Sequence, residues 1–107
     1  MKISNTPKSS YYAVIFTSIR NVEYLDYDKV SDRMLELVQK QPGFLGFESA
    51  KEELGITVSY WQDEQSILNW RNNLEHQEAQ RLGKEKFYKS YAIRICKVER
   101  AYFFESK

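Results

Sequence analysis

A single cysteine, Cys96, leaves no internal disulfide to staple this chain, and a single histidine, His76, leaves too few ligands for a zinc site of the usual kind. An excess of charge of one sign is missing as well. Sixteen basic side chains oppose fifteen acidic ones for a formal charge of +1, and no basic run tracks a phosphate backbone or an anionic lipid surface. Neither nucleic acid nor a membrane is therefore an expected partner. No apolar run reaches the length of a signal peptide or a membrane span, which points to a cytoplasmic protein. The chain also lacks a phosphate loop, a dinucleotide fingerprint and a nucleophile elbow, and His76 and Cys96 stand twenty residues apart, a poor dyad. Cys96 falls in an apolar, β-like run where a thiol is normally packing.

Aromatic residues, by contrast, are plentiful: eight tyrosines, six phenylalanines and two tryptophans make 15% of the 107 residues. Such a composition folds rather than staying disordered. A chain this short buries only a limited core alone, and association with a second copy would enlarge it.

Residues 1–10, MKISNTPKSS, are polar, include Pro7, and read as a flexible N-terminal arm without a site, leaving residues 11–107 as one folded domain. Tyr11 to Arg20, YYAVIFTSIR, is β-branched and aromatic with both alternating sets apolar: Tyr12, Val14 and Phe16 on one face, Tyr11, Ala13, Ile15 and Ile19 on the other. Such a strand is covered on both sides. Tyr27, Val30, Met34, Leu37 and Val38 then recur at helical spacing, until Pro42 and Gly43 stop the helix. Phe44 to Lys51 resumes an extended pattern, EELG (Glu52 to Gly55) suits a hairpin, and Ile56, Val58 and Tyr60 alternate with Thr57, Ser59 and Trp61 in a third strand. Asp63 suits a helix N-cap, followed by the stripe Ile67, Trp70 and Leu74. In the last strand, Tyr91 to Phe104, the apolar set passes from odd to even positions near Cys96, which predicts a bulge or a strand leaving its sheet for a partner.

The order β, α, β, β, α, β predicts an α+β fold of the ferredoxin-like, split βαβ kind, an antiparallel sheet with helices on one face. The other face of strand one is apolar too. Pairing it with the same face of another copy predicts a homodimer with an eight-stranded, barrel-like core.

PGFLGFES (Pro42 to Ser49), ITVSYW (Ile56 to Trp61), SILNW (Ser66 to Trp70) and EHQEAQRLG (Glu75 to Gly83) together resemble the antibiotic biosynthesis monooxygenase family over roughly Tyr11 to Tyr102. The continuation KFYKSYAIRICKVERAY (Lys86 to Tyr102) is similar to small bacterial members described only by the domain name. The resemblance implies a dimeric α+β barrel and, in some members, oxidation of aromatic polyketides by dioxygen with no metal or flavin, so no cofactor is expected. Related members bind and degrade haem. In those, the histidine lies farther from the helix tryptophan and an asparagine stands on the first strand; here the interval from Trp70 to His76 is six residues and YYAVIFTSIR has no asparagine.

The family's helix tryptophan and nearby histidine line the cavity between helices and sheet, so the resemblance carries Trp70 and His76 into that place. In a continuous helix, six residues at about 100° each put them about 120° apart, and they share one pocket only at its rim or if the helix breaks at Asn72 and Asn73. Asparagines are weak helix formers and good caps, which makes a break plausible. The helical neighbours of His76, among them Ala79, Gln80 and Gly83, form a polar or small surface that could floor a cavity; alternatively His76 bonds only a neighbour or water. Trp70 is either core or substrate contact. Arg94, alternating with Ile93 and Ile95, would need a buried carboxylate such as Glu48 or a ligand anion, unless it is exposed.

The resulting expectation is a cofactor-independent monooxygenase for a small aromatic or quinol-type molecule. His76 moves a proton, Trp70 shapes and stacks, and Arg94 steadies the substrate anion, with Trp61, Tyr60, Tyr91, Asn73 and Glu48 as substrate contacts. Two alternatives stand beside it: a non-catalytic dimer that binds a hydrophobic metabolite, and a haem-binding or haem-degrading protein.

Overall fold

The computed structural model describes residues 2–21 and 26–106, Asp26 by its backbone alone. In chain order the elements are β1 (Tyr11–Arg20), α1 (Asp26–Val38), β2 (Phe44–Lys51), β3 (Gly55–Trp61), α2 (Glu64–Arg71), α3 (Leu74–Leu82), a π-helical turn (Gly83–Phe87) and β4 (Tyr88–Val98). The strands form one antiparallel sheet in the order β2-β3-β1-β4. This is the expected ferredoxin-like α+β arrangement, with the second helix divided in two.

Register assigns each strand residue to a face. Phe16 lies opposite Thr57 on β3 and Ile93 on β4, and Val14 opposite Ser59 and Ile95, so even positions of β1 and odd positions of β3 and β4 share the side that carries the helices. Ile15 lies opposite Val58 and Arg94 on the other side, the back face. Between sheet and helices, Trp61, Val38, Tyr27 and Phe87 are buried, while Tyr11 and Ala13 are buried on the back face.

Two glycines shape the hairpin side of the sheet. Gly43 has φ +84°, and a Cβ there would run into the Ser66 side chain; its carbonyl accepts the Gln62 N–H at 2.7 Å, which draws the start of β2 against the loop before α2. Gly46 has φ +151° and leaves room for Ser4, whose Oγ donates to the Phe47 carbonyl at 3.0 Å and whose N–H donates to Glu48 Oε2 at 2.9 Å. Thr6, also buried, donates to Tyr11 Oη at 2.8 Å, and the Ala101 N–H reaches the Lys8 carbonyl at 2.8 Å. Residues Ser4, Thr6 and Lys8 of the N-terminal segment thus each bond to the rest of the chain.

The last strand differs from its expectation in extent and in register. β4 ends at Val98, and Tyr102, Phe103 and Phe104 lie exposed beyond it. Pairing with β1 runs without interruption past Cys96; the register slips only between Ile19 and Arg20, where Arg20 pairs with Tyr88 and Lys89 is left over. The change of apolar phase near Cys96 has another cause. Odd positions of β4 face the helix side and even ones the back face, and both sets are apolar.

Candidate functional site

The layer between sheet and helices is incompletely filled. It encloses a cavity of about 680 Å³, within the range of small-molecule sites, reached by Phe16 from β1, Thr57 and Ser59 from β3, and Tyr91 and Ile95 from β4. The roof is Tyr27 and Met34 from α1, Trp70 from α2, and His76, Ala79 and Gln80 from α3. Every second residue of each strand reaches it because the side-chain period of a strand is two.

The junction between α2 and α3 brings the tryptophan and the histidine together. Asp63 opens α2 as its N-cap, accepting from the Ser66 N–H at 2.8 Å and the Ser66 hydroxyl at 2.7 Å, which holds its carboxyl below the usual range. Asn72 ends α2, and Asn73, extended at φ −62° and ψ 127°, caps α3 with its Oδ1 accepting the His76 N–H at 3.1 Å. That interruption cancels the 120° phase difference of an unbroken helix. The Trp70 and His76 rings stack with centroids 4.2 Å apart and planes 21° apart.

The His76 imidazole is half-buried, with one face against the Trp70 ring. Its Nδ1 is buried and meets no hydrogen-bond partner among the described residues, and burial lowers its pKa from 6.5 to about 4. At neutral pH the ring is uncharged. A buried ring nitrogen left without a hydrogen bond costs on the order of 1–3 kcal/mol, a cost that contact with a donor relieves.

A second cluster lies at the opposite end. Tyr27 packs edge-on against Phe87 at 5.4 Å and Tyr88 at 6.0 Å, and Phe16 packs edge-on against Tyr88 at 5.3 Å and at a tilt against Tyr91 at 5.4 Å. Tyr88 Oη and Tyr27 Oη lie 3.3 Å apart, and burial, with that bond, raises the Tyr88 phenol well above its ordinary value. Over the Tyr27 ring stand the Arg20 guanidinium at 3.8 Å and the Lys51 ammonium at 5.3 Å.

The other expected site residues divide between the two faces. Tyr91 lines the cavity, and so does Trp61, which is 1% exposed, packs edge-on against Phe44 at 5.2 Å and donates from Nε1 to Ser59 Oγ at 3.0 Å. Asn73 works as a cap. Arg94, Tyr60 and Glu48 sit on the back face, away from His76, which corrects the expectation that Arg94 joins it. Glu48, Val58, Ile15 and Arg94 form one cross-strand row, so three strand spacings, about 14 Å, separate the carboxylate from the guanidinium. Glu48 instead accepts from Tyr60 Oη at 2.6 Å; burial, then that carboxylate, pushes the Tyr60 phenol up to about 12. Arg94 is exposed.

Arg20, Lys51, Tyr27 and Tyr88 were not anticipated. Arg20 shares the even phase of Val14 and Phe16, a signal present in the sequence, and both it and Lys51 line the cavity while remaining exposed to solvent. Among the described residues no group of three or more His, Cys, Asp or Glu side chains is arranged to hold a metal ion.

Residues 26–82, from α1 through α3, match the model of the antibiotic biosynthesis monooxygenase family. Over 105 residues the chain is 45% identical to the uncharacterised protein YqjZ of Bacillus subtilis, covering 96% of this chain and 92% of that one. It is 33% identical over 43 residues to the jasmonate monooxygenase of Pyricularia oryzae, which is 40% of this chain and 20% of the fungal protein. In three dimensions it is similar to a conserved protein from Methanosarcina mazei with a TM-score of 0.71 and 19% identity, over 80% of this chain and 90% of that one, a likeness of fold. With the family pattern running from α1 through α3 and a bacterial relative matched over nearly its whole length, the chain belongs to the antibiotic biosynthesis monooxygenase family.

Proposed function

We propose that this protein is a cofactor-independent monooxygenase for a small electron-rich aromatic molecule, with His76 as proton acceptor and Trp70 as the platform on which the substrate lies. The observation that carries the reading is the Trp70–His76 stack beside an aromatic-lined cavity, with an uncharged imidazole whose Nδ1 has no partner among the described residues.

The suitable substrate is a carbon acid whose CH₂ is flanked by aromatic rings or a carbonyl. His76 accepts a proton from it, leaving an electron-rich carbanion or enolate that passes an electron to dioxygen. The two recombine into a C–O bond. One oxygen atom stays as a new C=O in place of the CH₂, while its two hydrogens leave with the other oxygen as water, so the substrate supplies all the electrons. Burial, which lowers the His76 pKa to about 4, makes it a weaker base than a free imidazole. In the cavity its cation forms in contact with the new anion, at low dielectric, and their attraction offsets part of that weakness.

The reading also includes a homodimer in which two back faces meet. Its support is the exposure of Ile19 and Ile56 on a face that also carries Ile15 and Val58.

Oxygen uptake with a panel of anthrones and quinols tests the proposal. The protein should consume dioxygen with at least one of them after exhaustive chelation, and His76→Ala should lose about a hundredfold or more of that rate, the usual scale of a proton-transfer group. Equal rates in the two proteins would remove His76 from the mechanism. No uptake across the panel, with tight aromatic binding, would favour the non-catalytic binding module.

A further inference from the structure

We propose that Arg20 and Lys51 form an anion-binding pair at the far end of the cavity, so that the substrate carries an acidic group about 10 Å from the carbon that reacts at His76. This deepens the proposed function and rests on its premise that the cavity holds the substrate.

The geometry begins at the slip in the sheet. Because Lys89 is left over between β1 and β4, Tyr88 turns to the cavity side and pairs directly with Arg20. Bulges next to sites commonly re-aim a side chain in this way. Tyr88 then packs edge-on against Tyr27, and Tyr27, 7% exposed, is fixed further by Phe87. The guanidinium thus rests on a ring that cannot move aside, and a planar fork held in place loses little freedom when it binds a carboxylate or phosphate.

Lys51 comes to the same ring from β2, and both cations line the cavity. Two positive charges over one ring repel, whereas one cation would satisfy the aromatic face. Among the described residues, the acidic side chains that line the cavity are Glu52 and Glu53 in the hairpin, and neither forms an ion pair with Arg20 or Lys51. Among the described residues, ion pairs belong to Arg33 and Arg81. Lys84 lines the cavity as well, so among the described lining residues Arg20, Lys51 and Lys84 stand against Glu52 and Glu53.

The distance between the two ends follows from α3. His76 stands near its start, and Gly83, just past its end, lies against Tyr88, where a Cβ would meet the ring at 3.2 Å. Seven residues of helical rise span about 10 Å. Between the ends run Phe16, Thr57, Met34 and Ala79, a wall suited to an aromatic or alicyclic body.

Biphenyl-4-carboxylate and its uncharged carboxamide, titrated by calorimetry, test the assignment. The carboxylate should bind about tenfold more tightly than the amide or better, as charge-assisted hydrogen bonds imply. In the Arg20→Gln/Lys51→Gln double variant the carboxylate should fall to the affinity of the amide, while the amide, which doubles as the check on folding, binds unchanged. Equal affinities in the unmodified protein, or a preference for the acid that survives both substitutions, would overturn the anion site and leave the cavity reading standing. If neither compound binds, both fall together.

Discussion

Burial takes the charge from His76, and the consequence reaches beyond catalysis to stability. Its pKa is about 4 in the folded protein and 6.5 when unfolded, so between those values the unfolded chain binds the extra proton. Stability therefore falls as pH drops from 6.5 to about 4, by on the order of 3 kcal/mol in all, and is flat with respect to this group above 6.5. Denaturant midpoints measured at pH 7, 5.5 and 4.5 should show that acid limb, and His76→Phe, which keeps a ring against Trp70, should flatten it. An unchanged limb would mean that the imbalance lies in other groups. Arg94 teaches the opposite lesson about single residues: a guanidinium among isoleucines suggests a ligand or a buried partner, yet register places it on the back face, exposed, in the row that ends at Glu48.

At the scale of elements, the α2–α3 junction decides whether there is a site at all. Trp70 and His76 meet because Asn73 leaves the helical conformation and spends its side chain on the His76 N–H. Asn73→Ala should cost about 1 kcal/mol, the usual worth of an N-cap, and should also loosen the stack, whereas Asn73→Ser should restore most of both. Thermal unfolding reports the first and the tryptophan near-UV circular dichroism the second. The limits of β1 and β2 and the N-cap at Asp63 were legible because strand alternation and capping chemistry are local. The Asn72–Asn73 break was legible as a condition for the site. The cationic end was only half legible: alternation puts Arg20 on the cavity side with Val14 and Phe16, whereas the Tyr27 ring beneath it and Tyr88 beside it, paired across nearly seventy residues, are tertiary relations that no local pattern announces. Register also explains the misplaced bulge, because two apolar faces on β4 imitate a change of phase.

For the whole molecule, one sheet separates two surfaces: the helix side holds the cavity, and the back face carries the exposed Ile19 and Ile56 on which the proposed dimer rests. A chain of 107 residues with isoleucines exposed on that face gains core by pairing, so its thermal midpoint should rise with protein concentration. Sedimentation should give the mass of two chains, and Ile15→Asp, at the centre of the back face, should give one; a monomer before mutation would remove the dimer from the account. The central claim is that the cavity inserts one atom of dioxygen into a substrate by way of His76. Turnover of an anthrone under ¹⁸O₂ by the chelated protein measures that directly. One labelled oxygen is expected in each product molecule, with loss of labelled product in His76→Ala, while product without label, or labelled product formed equally well by His76→Ala, would rule out oxygen insertion by way of His76.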